Sequence, residues 1–260
     1  MAKRRTSRPA AGPAFRRKAP FRAAPSKGRS GSGRSRGLRF WLFWRILPLI
    51  ALLVFSFYGF VILSLIALRV IDPFTTSVQI QRRIESWASR DTYHKQFEFV
   101  PLANISPNVQ HAVLTAEDAR FYQHNGFDWK EIEQAVNNDN EGKRLRGAST
   151  ITQQLVKNLY LTTSRSLLRK GVEATIVPLM EAILPKQRIL ELYLNVIEWG
   201  PGVYGAEAAA RYHFHVSAAT LNRDQAARLA AIIPAPLHRR PGQMSQSAER
   251  IEMRMHQSGF

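Results

Sequence analysis

The stretch Thr115 to Gly126, TAEDARFYQHNG, decides how this chain is read. It closes an amphipathic helix on two adjacent carboxylates, Glu117 and Asp118, and then turns through His124 and Gly126. Ser106-Pro107 reads as the start of that helix, an N-cap followed by proline at the first helical position. From there Val109, Ala112, Val113 and Ala116 recur with helical period, and Glu117, four residues after Val113, falls on the same side. A carboxylate presented from an apolar stripe is partly desolvated. That favours its neutral form and raises its pKa toward the range useful to a general base or acid. The same helical wheel points Asp118 off the stripe. An isolated Glu-Asp pair is most often a solvated helix end, so the catalytic reading has to draw on the rest of the chain.

The next informative stretch is Arg146 to Leu161, RGASTITQQLVKNLYL. Gly147 permits close backbone approach, and Thr150 with Gln153 three residues on forms a capping box, so a helix starts here with an N-terminus suited to an anion. Ile151, Leu155 and Leu159 make its buried row, and Thr150, Gln154, Lys157 and Asn158 an adjacent polar strip. In the third stretch, Ser164 to Leu184, Arg165, Arg169 and Glu173 follow at four-residue steps beside Lys170. One acid among three cations is either a set of helix-surface ion pairs or a carboxylate inside a phosphate-binding cluster. Pro178 marks a kink in this helix.

At 260 residues the chain can hold one sizeable folded domain. Fourteen of its 37 Lys and Arg residues lie in residues 1–45, which contain no acid and supply most of the net charge of +18. Rich also in Pro, Gly and Ser, this tail is expected to be disordered. Ile46 to Leu68 carries no charge and is long enough to span a bilayer, with Trp41, Trp44 and Tyr58 as aromatic neighbours. Without the short apolar core and small-residue cleavage site of a signal peptide, it reads as an uncleaved anchor. The basic tail then sets topology rather than binding nucleic acid: N-terminus cytoplasmic, everything after Leu68 outside. Residues 69–100 read as a juxtamembrane connector with one short helix, Val78 to Ala88, and a solvated Arg82-Arg83 pair.

Beyond residue 100 the pattern is mainly helical, with no sustained two-residue alternation. KQRILELYLN at 186–195 places Ile189, Leu190, Tyr193, Leu194 and Ile197 on a core face. Gly200, Pro201, Gly202 and Gly205 mark a loop before an Ala-rich helix, Ala206 to Tyr212, and Asn222 with Gln225 caps another that ends at Ile233-Pro234. His213 and His215 do not have the spacing of a metal site. A domain over 101–240 followed by a short, partly helical tail, 241–260, completes the expected organisation.

Five blocks in this order, EDARFYQHNG, GASTITQQLVKN, RKGVE, KQRILELYLN and LNRDQAARLAAIIPAP, resemble the glycosyltransferase domain of bacterial peptidoglycan polymerases, the family shared with class A penicillin-binding proteins. The resemblance covers roughly Pro101 to Pro236. With one anchor before it and no room for a transpeptidase domain after it, the chain is similar to the family's monofunctional members. The resemblance implies a lysozyme-like helical lobe and a smaller membrane-facing lobe, here Phe127 to Arg146. It also implies a bacterial inner-membrane location, lipid II and the growing glycan-lipid as substrates, and other cell-wall synthesis or division proteins as partners.

Matched residue by residue, Glu117 takes the place of the family's general base and Glu173 that of the second essential carboxylate, at the donor's pyrophosphate. Asp118, Phe121, His124, Gly147, Ser149, Thr150, Gln154, Lys157, Arg165, Arg169 and Lys170 match substrate-binding positions. No organic cofactor is implied; a divalent cation, Mg2+ or Mn2+, bridging Glu173 and phosphate is. Ala148 replaces the second glycine common in the second block, Gln225 stands where glutamate is usual, and Val172 occupies an often basic position. A lysozyme-like or lytic enzyme is the alternative activity; it needs the acid but not the cations or the anchor. A membrane-tethered binding protein needs neither carboxylate.

Overall fold

The computed structural model describes residues 33–90, 92–140 and 149–260. The expected disordered tail lies largely outside these residues, as does Gly147. Helix α1, Gly33–Ala67, starts well before the expected span. Its segment Trp44–Ala67 is long and apolar enough to cross a membrane, with a mean hydropathy of 2.7. The chain divides into two compact units, residues 1–52 and 53–260. Within the second, the end of α1 is not a bare tether. Val61, Leu65 and Leu68 are buried in the main hydrophobic core, while Leu53, Phe55, Phe60 and Leu63 face outward.

Nine further helices follow among the described residues, with boundaries set by local signals. Helix α2, Ser77–Ser89, is capped by Thr76, and α3, Pro107–Glu117, by Ser106, which accepts the Asn108 amide. Helix α4 is Trp129–Asn140 and lies in the segment expected to form the smaller lobe; residues 141–148 of that segment are not described. Helix α5, Ile151–Tyr160, begins with the full Thr150/Gln153 capping box. Helix α6, Leu167–Ile183, runs through Pro178. Then come α7, Lys186–Val196, and α8, Ala206–Phe214. Helix α9, Arg223–Ile232, carries the Asn222/Gln225 box, and α10, Ser245–Gln257, is the last.

Apolar faces at 3.6-residue spacing dictate the packing. Helix α3 lies against α9 and α10, and α5 against α6 and α7. The C-terminal segment is therefore part of the folded unit: Ala248, Ile251 and Met255 of α10 are buried. Three short strands make one small sheet in the order β1-β3-β2, formed by β1 (Gln96–Phe97), β2 (Glu198–Gly200) and β3 (Val203–Tyr204). Strand β1 is parallel to β3, and β2 antiparallel.

Arg82 is not solvated as its sequence suggests. Its guanidinium bonds Glu198 at 3.1 Å and Glu85 at 2.8 Å, tying α2 to the sheet. Burial raises the Glu198 pKa, and the same side chain accepts from Tyr204.

Candidate active site

Glu117 is the last residue of α3 and opens toward the face of α5. Gln154 of α5 donates to its Oε2 at 2.8 Å and to the Ser149 carbonyl at 3.3 Å. The other end of that amide is fixed as well: the Tyr193 hydroxyl, fully buried on α7, donates to Gln154 Oε1 at 3.0 Å. Burial raises the Tyr193 pKa well above its ordinary value, so the hydroxyl keeps its proton and stays a donor. Burial also pushes the Glu117 carboxyl above the usual carboxylate range, against the Gln154 hydrogen bond and the nearby charges of Lys157 and Arg239. A position at the negative end of the α3 dipole works in the same direction.

A turn further along α5 is Lys157. Its ammonium has no hydrogen-bond partner among the described residues and feels both Glu173 and Glu117. Burial lowers its pKa in spite of those two anions. Glu173, 2% exposed on α6, is held on both oxygens, by Arg169 at 2.6 Å and by Lys170. Lys170 also reaches Ser149 Oγ at 3.3 Å, and Arg169 donates to the Ser164 carbonyl, so the segments flanking α5 are stitched to the start of α6. The outcome is a desolvated carboxylate and a cationic cluster, with one lysine between them that is unpartnered among the described residues.

Several sequence expectations need correction. Helical-wheel reasoning sent Asp118 outward, but the helix ends at Glu117, and Asp118, in an extended conformation (φ −160°), is 2% exposed. Its Oδ2 accepts the first amide of α5, from Ile151, at 3.0 Å, and its Oδ1 faces His124 Nε2 at 2.9 Å. The Gly126 amide donates to His124 Nδ1, which leaves the ring proton on Nε2 to serve Asp118. Phe121 is buried in the core under Lys186, and Thr150 caps α5 and donates to the Gly126 carbonyl. Asp118, Phe121 and Thr150 are thus buried behind Glu117, whereas His124 is part-exposed and borders a cavity lined also by Arg120, Phe127 and Asp128.

Arg165 is corrected for a different reason. Ser166 caps α6, so Arg165 precedes the helix and the four-residue rule does not apply; it is exposed and makes no contact with Glu173. Gly126 earns its place at the end of the motif. Its φ is +88°, and a Cβ there would lie 2.4 Å from Val177 Cγ1 of α6. Two residues that sequence reasoning missed at the site are Tyr193, read as core, and Arg239. The first had a signal, since a hydroxyl in an aliphatic row needs a buried partner.

Two candidate cation positions occur among the described residues. Glu173 is a single carboxylate with both oxygens held by Arg169 and Lys170, so an ion bridging it to a phosphate would share those oxygens with the two cations. Asp118, His124 and Asp128 come together, but the ring proton of His124 points at Asp118, and Asp128 is paired with Arg120. Asp118, His124 and Asp128 therefore do not fit a resident metal.

The sequence matches the Transglycosylase family model over residues 83–258. A biosynthetic peptidoglycan transglycosylase of Pseudomonas fluorescens strain SBW25 is 48% identical over 175 residues, 67% of this chain and 73% of that protein. One from Chromohalobacter salexigens is 45% identical over 201 residues, 77% and 82% of the two chains. The match begins inside α2 and runs through α10, so it takes in the second half of the connector and the C-terminal helix as well as the five blocks, and this chain belongs to the transglycosylase family.

Proposed function

We propose that this chain polymerises lipid II into β-1,4-linked glycan strands at the outer face of the bacterial inner membrane. The observation that carries the reading is the pairing of a desolvated Glu117 with a separate cationic cluster around Glu173. Glu117, deprotonated, takes the proton from the 4-hydroxyl of the acceptor's N-acetylglucosamine. That oxygen attacks C1 of the donor's N-acetylmuramic acid from the opposite side to the leaving group, with inversion, and undecaprenyl pyrophosphate departs.

Pyrophosphate leaves readily once its charge is neutralised, so what it needs is cations rather than a strong proton donor. Lys157 is suited to this because its ammonium is partly desolvated and without a partner among the described residues, and contact with an anion relieves that. Arg169 and Lys170, aligned by Glu173, supply the rest. No step requires a divalent ion held by the protein. A glycan-cleaving enzyme has no use for this cluster, because its leaving group is a neutral sugar hydroxyl.

The basic N-terminal segment and the apolar stretch of α1 support a single-pass arrangement with the catalytic unit on the periplasmic side. The test is to incubate the detergent-solubilised full chain with fluorescently labelled lipid II. Long products that a muramidase digests support the proposal, and unchanged lipid II, or cleavage of preformed glycan instead, refutes it.

A further inference from the structure

Large apolar side chains face outward around the place where α1 joins the catalytic unit. On α2, Ile80, Ile84 and Trp87 recur at four- and three-residue steps and are 50%, 56% and 70% exposed. The opposite face of the same helix buries Val78 and Gln79. Phe74 before it and Leu167 and Leu168 at the start of α6 are exposed as well. Isolated exposed apolar residues are ordinary, but a stripe along one helix calls for a partner.

Its surroundings say which partner. Gln81 exchanges two hydrogen bonds with Thr163, at 2.8 and 2.9 Å, and three residues earlier the Tyr160 hydroxyl donates to Ser64 of α1 at 3.0 Å. Arg188 holds the carbonyls of Leu68 and Ile71 and the carboxylate of Asp72, which pins the link between α1 and α2. The stripe is therefore fastened beside the end of α1, the one helix among the described residues that is long and apolar enough to cross a membrane. Its rim carries cations: Arg83 lies over the Trp87 ring at 5.3 Å, and Arg90, the C-cap of α2, is exposed. An aromatic-aliphatic face with arginines at its edge has the composition of a helix lying in the headgroup region of an anionic bilayer.

We propose that α2 is a second membrane contact, with Ile80, Ile84 and Trp87 seated in the leaflet next to the anchor and the adjacent arginines on lipid phosphates. The inference rests on reading α1 as a membrane span. A single span, even one packed into the core, lets the whole molecule tilt and turn in the bilayer. Two contacts fix its height and orientation over the surface to which its lipid-linked substrates are confined.

The chain has no cysteine, so single cysteines can be introduced into the full chain and labelled with an environment-sensitive nitrobenzoxadiazole dye. Ile80→Cys, Ile84→Cys and Trp87→Cys are compared with Ser89→Cys, a half-turn away from Ile80 around α2, and Met253→Cys on α10. Leu63→Cys, on the outward face of α1, reports the span itself. After reconstitution into phosphatidylglycerol-phosphatidylethanolamine vesicles, labels at 80, 84 and 87 are expected to shift to the blue. They should also be quenched several-fold more by shallow doxyl-lipid than labels at 89 and 253. If 80, 84 and 87 behave like 89 while Leu63→Cys is quenched, the stripe faces water or another protein and the proposal falls, with the span intact. If Leu63→Cys is also unquenched, the span reading falls and takes the proposal with it.

Discussion

Replacing Tyr193 by Phe removes one hydroxyl from the centre of the site and leaves the ring in place. That hydroxyl fixes the orientation of the Gln154 amide, and through it the donor that faces Glu117. Without it, Gln154 Oε1 is buried with no partner, a cost of about 1–2 kcal/mol. For a domain of this size that lowers Tm by roughly 3–6 °C. The amide is also free to turn and present its oxygen to the carboxylate. A hydrogen bond to a charged acceptor contributes roughly 1.5 kcal/mol, close to one pKa unit. Because the bond favours ionised Glu117, its loss moves the pKa further up.

The acid limb of the rate-pH profile should therefore shift upward by about one unit, with turnover on that limb falling about tenfold and the alkaline plateau little changed. Initial rates of lipid II polymerisation across pH, alongside thermal unfolding of both proteins, read this directly. A lowered Tm with an unmoved pH profile would mean that Tyr193 only fills space, and the relay argument would be wrong.

Other outcomes follow from the same geometry. Lys157→Ala removes a desolvated cation that has no hydrogen-bond partner among the described residues, so donor turnover should collapse while Tm stays within a few degrees of the parent; a large Tm drop would make Lys157 structural. Gly126→Ala adds a Cβ 2.4 Å from Val177 at a φ of +88°, and denaturant unfolding should show a loss of at least ~2 kcal/mol. The raised pKa of Glu117 also fixes a sign for stability. The folded state holds that proton more tightly than the unfolded chain, so its contribution is intact at low pH and is lost as pH rises from the ordinary carboxylate value through the folded one. Measured against Glu117→Gln, the parent should lose relative stability across that window, and a difference that does not vary with pH contradicts the burial argument.

What was legible in the sequence were features whose cause lies within a few residues. Ser106-Pro107, Thr150 with Gln153, and Asn222 with Gln225 carry their own capping partners, and each helix starts where its cap says. Ile189, Leu190 and Leu194 advertise their burial by period alone. What failed depended on partners far along the chain or on the limits of a helix. Arg82 looked solvated because Glu198 is 116 residues away, and Tyr193 looked like plain core because Gln154 is 39 residues away. Asp118 and Arg165 were placed by helical geometry just outside the helices that would have justified it. The small sheet escaped because two- and three-residue strands are too short to alternate.

The central claim is that Glu117 is the base, and Glu117→Gln tests it most directly. The amide keeps the volume and hydrogen-bonding shape of the carboxylate and removes the proton acceptor. With the full chain and labelled lipid II at matched detergent, polymerisation should fall by roughly two to four orders of magnitude. Tm should be unchanged or slightly higher, because a buried amide escapes the desolvation cost of a buried charge. Turnover within a few-fold of the parent would contradict the account and require the base to be sought elsewhere in the cleft.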